Sequence, residues 1–161
     1  MKGAVLVDLR NDEYISLTKT YLQNYRRWQA ESANLGHEAQ ELAAILADIP
    51  AAIAKYGDEP GGGSSELNTI EQSAERRMKL EARLRTTTAR KNKLDGILTR
   101  VDTALGALND QLRGLLISHY MDGASWIDIA AGCYYSERWT RERGHRALAM
   151  VSEMIFGLWI T

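Results

Sequence analysis

The sequence predicts an all-α protein in which a long antiparallel helical hairpin, resembling a coiled coil, is followed by a C-terminal helix-turn-helix. Two long segments place apolar residues at alternating steps of three and four, which is the heptad pattern of packed helices. Signals for β-strands are nearly absent, since the chain has one Phe and no useful alternation of apolar and polar residues. Both prolines, Pro50 and Pro60, lie in one short central stretch, so the flanking segments are free to be helical.

Length and composition narrow the class of protein. The 161 residues fit one domain, or one small domain with an extended element. The 45% hydrophobic and 25% charged residues are typical of a soluble chain, and the net charge of -1 does not by itself indicate nucleic-acid binding. A single cysteine excludes an internal disulfide, and no apolar run approaches the roughly 18 residues of a membrane span. We expect a cytoplasmic protein that is not bound to a membrane.

The first helix is predicted over residues 11–53, after an N-terminal tail of residues 1–10. Its heptad seam is regular from Leu35 to Ile53. Proline lacks the backbone N–H that a helix needs and clashes with the preceding turn. Pro50 is therefore expected to kink or end this helix one or two residues before it.

A glycine- and serine-rich loop, residues 57–65, separates the first helix from the second. Three consecutive glycines give this loop maximal backbone freedom. A phosphate-binding loop is not supported, because no lysine follows the glycines and no strand precedes them. One of the two serines, Ser64 or Ser65, is predicted to cap a second helix over residues 66–105.

Folding the two helices back through this loop predicts an antiparallel hairpin over residues 11–106. Both heptad seams turn polar in the middle, at Gln29 and Ser32 in the first helix and at Thr87 and Lys91 in the second. In an antiparallel pairing through the glycine loop, these polar positions coincide. The coincidence indicates the register of the hairpin.

The charges of the two helices support the same register. The charged residues in the middle of the first helix, from residue 31 to residue 48, are all acidic, whereas the facing part of the second helix is strongly basic. Glu31 is therefore expected beside Arg90 or Lys91, and Glu38 beside Arg83. Exposed pairs of this kind select register and partner more than they stabilise.

Residues 76–100 form a basic stripe along the second helix. They hold nine basic residues against two acids. The basic residues are Arg76, Arg77, Lys79, Arg83, Arg85, Arg90, Lys91, Lys93 and Arg100. The excess of cations has two interpretations: a solvated, partly paired coiled-coil face, or a surface that contacts DNA phosphates.

Residues 107–161 change to short helices joined by tight turns, each begun by a capping residue. Asn109 or Asp110 is predicted to cap the first, Ser125 the second and Ser136 the third. A four-residue turn joins the last two helices. Three helices with such a turn are typical of a helix-turn-helix.

A specific run of residues supports this assignment. In order, the stretch contains Leu112-x-x-Leu115-Leu116, Tyr120-x-Asp122-Gly123-x-Ser125-Trp126-x-x-Ile129-Ala130, Ser136 and Arg146-Ala147-Leu148. The pattern resembles the region-4 helix-turn-helix of sigma-70 type factors. With the heptad hairpin and the glycine-serine loop, the whole chain resembles the small phage transcriptional regulators of the RinA/ArpU type. The resemblance implies an activator of late phage or prophage genes, with double-stranded DNA and host RNA polymerase as partners.

The chain departs from that family pattern in two places. Where the family has a glycine two residues before the serine cap, this chain has Tyr134, and its own glycine is earlier, at Gly132. Because a positive φ is costly for tyrosine, we expect the turn to be built differently. The family also commonly shows His-Gly-Arg, whereas this chain reads Gly144-His145-Arg146.

The last helix of a helix-turn-helix enters the major groove with its first turns. The outward residues predicted here are Glu137, Arg138, Arg141, Glu142 and His145. The resemblance implies that positions 137, 138, 141 and 142 read base edges. Arginine suits guanine through its paired donors, and glutamate can accept a hydrogen bond from the cytosine amino group.

Three further residues are predicted to contact phosphates, which position the helix without reading sequence. They are Ser136, Arg143 and Arg146. A competing interpretation needs no DNA: Arg138 and Glu142, and likewise Arg141 and His145, are i,i+4 neighbours, so the same face is also explained as a solvated, self-paired surface.

Catalysis has little support in the sequence. The three histidines, His37, His119 and His145, lie on separate predicted helices with no neighbouring nucleophile. We expect no enzyme activity, no cofactor and no metal site. Packing roles are expected for the remaining notable side chains: Cys133 buried, Trp126 and Trp139 as packing residues, and Tyr134 and Tyr135 filling the turn. The alternative for Trp139, at the start of its helix, is a contact with the sugar-phosphate backbone of DNA.

Two other functions stay open at this point. A phage small terminase subunit also joins a helix-turn-helix to helical oligomerisation elements and binds packaging DNA. A module that docks on RNA polymerase without binding DNA is the second alternative. For the regulator, we expect a homodimer, because its polar middle layers and the paired half-sites of such proteins favour one. The operator, the sign of regulation and the role of the apolar end at residues 155–160 are not given by the sequence.

Overall fold

The computed structural model describes residues 2–56 and 64–157, with the side chains of residues 11–49 and 67–157. All elements in these ranges are helical. They are α1 (Lys2–Tyr56), α2 (Ser64–Ala107), α3 (Asp110–Leu116), α4 (Trp126–Cys133) and α5 (Glu137–Phe156), with a π-helical turn (Ile117–Met121) after α3. The predicted fold class is confirmed: two long antiparallel helices precede a helix-turn-helix.

The first helix is longer than predicted at both ends. It begins at Lys2, so residues 2–10 are helical rather than a tail, and it continues through Pro50 to Tyr56. The expected helix end before Pro50 is therefore wrong. Proline removes one backbone hydrogen bond, but the alanines on both sides of it are the strongest helix formers, and the helix continues.

The second helix begins at Ser64, close to the predicted start. Ser64 and Ser65 already belong to the helix. The remainder of the predicted glycine loop, and any residue that caps α2, lie outside the described residues.

The chain divides into two compact units, and both long helices contribute to each. Residues 1–29 and 95–161 form the first unit, and residues 30–94 form the second. This division differs from the predicted boundary at residue 107. The difference arises because the start of α1 and the end of α2 share an apolar core with the helix-turn-helix.

The core of the first unit contains residues from α1, α2, α3, α4 and α5. Leu22 of α1, Val101 of α2, Leu116 of α3 and Leu148 of α5 are almost fully buried in it. Its other buried members are Ala104, Leu105, Leu108, Leu112, Leu115, Tyr120, Trp126, Ala147 and Val151. The helix-turn-helix is therefore built on the two long helices and shares their core.

Polar contacts reinforce this arrangement in the first unit. Arg26 of α1 pairs with Asp122, which precedes α4, at 2.7 Å. The Tyr25 hydroxyl donates to the Asp102 carboxylate of α2. Burial, followed by this hydrogen bond to a negative charge, raises the pKa of Tyr25 to about 12. The phenol thus remains a donor throughout the physiological range.

In the second unit, ion pairs confirm the predicted register of the hairpin. Arg90 Nε donates to Glu31 Oε1 at 2.6 Å, and Arg83 Nε donates to Glu38 Oε1 at 2.7 Å. All four side chains are at least partly exposed, so each pair contributes at most about 1 kcal/mol. The two ion pairs set the register, because they determine which residues of the two antiparallel segments face each other.

A polar layer lies in the same unit, as the sequence predicted. Ser32 and Thr87 are buried, and Lys91 Nζ donates to Ser32 Oγ at 3.3 Å. The aliphatic part of Lys91 passes over Gly36, where a Cβ would lie 3.1 Å from Lys91 Cε. Gln29, predicted for this layer, instead donates to the Tyr25 hydroxyl at 3.1 Å. Polar residues in a helical seam cost stability but favour one register.

The predicted helix caps are confirmed. Asn109 Oδ1 accepts from Leu112 N at 2.9 Å, and Ser125 Oγ accepts from Asp128 N at 3.1 Å. Ser136 Oγ accepts from the third backbone N–H of α5, also at 3.1 Å. At the junction of α2 and α3, Arg113 donates to the carbonyls of Leu105 and Leu108 at 2.9 and 2.7 Å, and the Leu105 carbonyl also accepts from the Leu108 N–H.

The packing of α4 on α5 depends on Gly144. The Trp126 ring lies directly on the α5 backbone at this residue, and a Cβ there would be 2.6 Å from Trp126 Cζ3. Trp126 is buried in the core by this contact. The order Gly144-His145, which departs from the family pattern, therefore places the glycine where the indole needs it.

We predict that Gly144→Ala destabilises the protein by about 1–3 kcal/mol, because the added methyl group forces the indole or the α5 backbone to move. Urea unfolding followed by circular dichroism measures this change. The matched control is Gly114→Ala, since a Cβ at Gly114 meets nothing within 4 Å. That variant is expected to gain about 0.5–1 kcal/mol from helix propensity. Equal stability of Gly144→Ala and the wild type would contradict the packing described here.

Candidate nucleic-acid interface

The α5 helix separates a buried face from an exposed face, and the predicted site residues lie on or beside the exposed one. Thr140, Gly144, Ala147, Leu148 and Val151 are buried. Arg138, Arg141, Glu142, His145 and Arg146 are exposed, and Glu137 and Arg143 are half-buried. Ser136 is exposed, but its hydroxyl oxygen already caps the helix. The helix-turn-helix thus presents the predicted residues as one continuous surface.

On one flank of this surface, the two arginines predicted to read bases are paired with the two glutamates. Arg138 Nε donates to Glu142 Oε1 at 3.1 Å, and Arg141 pairs with Glu137. These are exposed i,i+4 pairs, each of which contributes about 0.3–0.5 kcal/mol. The self-paired geometry that the sequence left as an alternative is therefore present for Arg138 and Glu142, whereas Arg141 pairs with Glu137 and not with His145. Both pairs are weak enough for a ligand to displace.

On the other flank, an aromatic stack supports an arginine. The rings of Tyr135 and Trp139 stack with centroids 3.9 Å apart, and Arg143 Cζ lies 4.7 Å from the centre of the Trp139 ring. Arg143 and Arg146 line a shallow depression with Trp139 and Glu142, and neither arginine has an ion pair among the described residues. The stack orders the Arg143 guanidinium and leaves its donors available to an anion.

Two histidines that are distant in sequence lie against the same indole. The His119 ring stacks on Trp126 at 3.8 Å, and the His145 ring meets Trp126 edge-on at 6.1 Å. His119 Nδ1 is 2.8 Å from the Ala124 carbonyl oxygen, which fixes its ring. Sequence spacing gave no signal for this cluster, because the fold alone brings the π-helical turn and α5 to Trp126.

The electrostatics of His145 reveal a cation that the sequence analysis missed. Partial burial lowers the pKa of His145, and the positive charges of Lys19, Arg141 and His119 lower it further. Lys19 belongs to α1 and precedes the fully buried Leu22 by three residues. Its proximity to α5 follows from the shared core, which no pattern in the linear sequence indicates.

The turn before α5 corrects three expectations. Tyr134 adopts φ 60° and ψ 25°, so this tyrosine takes the left-handed conformation that its cost was expected to exclude. Tyr134 is 97% exposed and does not fill the turn, whereas Tyr135 packs on Trp139. Cys133, expected to be buried, is exposed at the end of α4.

Comparisons of the chain with protein-family models, with curated proteins and with solved structures found no match. None of the helices within residues 2–56 and 64–157 is both long enough and apolar enough to cross a membrane. In the same part of the chain, no three His, Cys, Asp or Glu side chains are grouped so that they would hold a metal ion. A function has to be inferred from the geometry and charge of the chain's own residues.

We predict that protonation of His145 destabilises the folded protein. Because its pKa is lowered on folding, the unfolded chain takes up the proton first as the pH falls below about 6.5. The free energy of unfolding contributed by His145 is therefore complete above that pH and is lost as the pH falls through the folded pKa. An NMR titration of the His145 ring measures the shift directly.

Lys19→Gln is expected to raise the pKa of His145, because it removes one of the charges that disfavour protonation. Lys93→Gln makes the same change of charge in the second unit and serves as the control. A His145 pKa at or above the ordinary value for histidine would contradict the proximity of Lys19 and Arg141.

Proposed function

We propose that this protein is a sequence-specific, double-stranded-DNA-binding regulator of transcription in the bacterial cytoplasm, with α5 as its recognition helix and no catalytic role. The observation that carries the proposal is the exposed face of α5. In a helix-turn-helix frame, it presents four arginines against two glutamates, and Arg143 and Arg146 have no ion pair among the described residues. The resemblance to RinA/ArpU-type phage regulators supports activation of late genes.

The two flanks of α5 suit different parts of DNA. Arg143, ordered on Trp139, and Arg146 are placed to bind phosphates, which set the position of the helix. Arg138 and Arg141 lie one turn apart on the other flank and suit guanine edges. To read a base, each must leave its glutamate, at a cost of about 0.3–0.5 kcal/mol. A bidentate contact with guanine contributes roughly 1–3 kcal/mol, so the exchange is favourable at the correct site.

Dimerisation is part of this proposal, with the hairpin supplying the dimer contact or a contact with RNA polymerase. Two recognition helices on adjacent half-sites would double the base contacts. We expect sedimentation of the purified protein at tens of micromolar to give a dimer. A monomer alone would contradict this part of the proposal, and a stable assembly of eight or more subunits would favour a small terminase subunit instead.

The test of function is a selection from genomic DNA. The purified protein is incubated with sheared fragments of its source genome at about 0.15 M salt, where non-specific binding is weak. Sequencing of the retained fragments is expected to show one promoter-proximal site. Enrichment at a packaging locus would replace the regulator with a terminase subunit. The absence of any enriched fragment would overturn DNA recognition and favour docking on a protein.

Three double variants separate the roles within the interface. Arg138→Ala/Arg141→Ala is expected to abolish enrichment of the site while leaving most non-specific affinity. Arg143→Ala/Arg146→Ala is expected to weaken binding to all duplexes and to reduce the slope of log affinity against log salt by about two. The control is Arg77→Ala/Lys79→Ala. It also removes two cations that pair with glutamates at i,i+4, but outside the helix-turn-helix.

The control variant also decides between the two interpretations of the basic stripe. Unchanged binding supports a solvated, partly paired hairpin face. A loss as large as that of Arg143→Ala/Arg146→Ala would instead place the basic stripe on the DNA backbone.

A further inference from the structure

Tyr134 combines a strained backbone with an unsupported side chain. Among the described residues it alone, apart from glycines, has a positive φ, with φ 60° and ψ 25°. For an L-residue this left-handed conformation brings Cβ close to the following carbonyl oxygen, and glycine avoids the cost. A glycine is therefore the residue that the stability of this turn favours.

Within residues 2–56 and 64–157, the Tyr134 side chain makes no stabilising contact that would offset this backbone strain. The Tyr134 ring is 97% exposed and makes no hydrogen bond or ring contact with the other residues that the structure describes. The next residue is different: Tyr135 stacks on Trp139 and contributes to packing. A residue that is held in strain and directed into solvent is typical of a site that meets a ligand.

The position of Tyr134 indicates which ligand it meets. It lies two residues before Ser136, the cap of α5, and therefore at the N-terminal edge of the helix proposed to enter the major groove. The first N–H groups of α5 favour a phosphate at this end of the helix, and Arg143 and Arg146, about two turns further along, offer donors to the phosphates of the same duplex. A tyrosine hydroxyl at the rim of a groove is among the donors that bind phosphate oxygens in protein–DNA complexes.

We propose that the Tyr134 hydroxyl donates a hydrogen bond to a DNA phosphate and so fixes how α5 sits in the groove. This inference rests on the proposed DNA-binding function and adds a residue to it. A phosphate contact carries no sequence information, so its loss weakens binding to the selected site and to unrelated duplex by the same factor.

Three substitutions test the proposal by thermal unfolding and by fluorescence anisotropy on both duplexes. Tyr134→Gly is expected to raise Tm by about 2–6 °C, because the strain is relieved, and to weaken binding roughly tenfold. Tyr134→Phe keeps the strain and the ring but loses the hydroxyl. It is expected to match the wild-type Tm and to lose the same factor in affinity. Tyr135→Phe, which removes the hydroxyl of the packed neighbour, is the control and is expected to bind as the wild type does.

The outcomes distinguish this inference from the proposed function. If the wild type binds no duplex, both are overturned. If the wild type binds and Tyr134→Gly binds equally tightly, only the role of Tyr134 is overturned. Retained affinity in Tyr134→Phe with loss in Tyr134→Gly would replace the hydrogen bond with ring packing, which also overturns it. Normal DNA affinity in both variants, with loss of binding to purified RNA polymerase, would assign Tyr134 to a protein contact instead.

Discussion

The close approach of α4 and α5 at Gly144 fixes the inner face of α5 and so determines which of its faces is exposed. Trp126 lies on the backbone at this glycine, and the two histidines that flank its ring complete an aromatic cluster between the π-helical turn and α5. With its inner face fixed against Trp126 and the core, α5 has one face left for solvent. The exposed face of α5 is the one opposite its buried residues, and Gly144 allows the Trp126 ring to lie on the helix backbone there.

The exposed face of α5 combines four arginines with two glutamates, so its positive charge is partly neutralised. Glu142 and Glu137 neutralise Arg138 and Arg141, whereas Arg143 and Arg146 have no ion pair among the described residues. In the proposed function, the two glutamates lower affinity for DNA in general and favour discrimination over affinity, in line with a chain whose overall charge is -1.

Sequence reasoning succeeded where local rules decide the structure. Periodicity and charge gave the Glu38–Arg83 pairing, and capping chemistry gave the role of Ser136. It failed where a single-residue rule was applied without its surroundings. The helix continues through Pro50 and Tyr134 accepts a left-handed conformation, so a local backbone cost is tolerated at both positions. Cys133, expected to be buried, faces solvent. The division into two units, which depends on which helices share a core, had no sequence signal at all.

The core of the first unit is assembled from segments that are far apart in the chain. Leu22 and Val101 are buried together with Leu148, and Tyr14 stacks on Phe156 at 4.8 Å. These contacts join residues that are far apart in the sequence, and forming them costs loop-closure entropy. The core that fixes the inner face of α5 therefore depends on contacts of high sequence separation, which are the slow contacts to form in a folding chain.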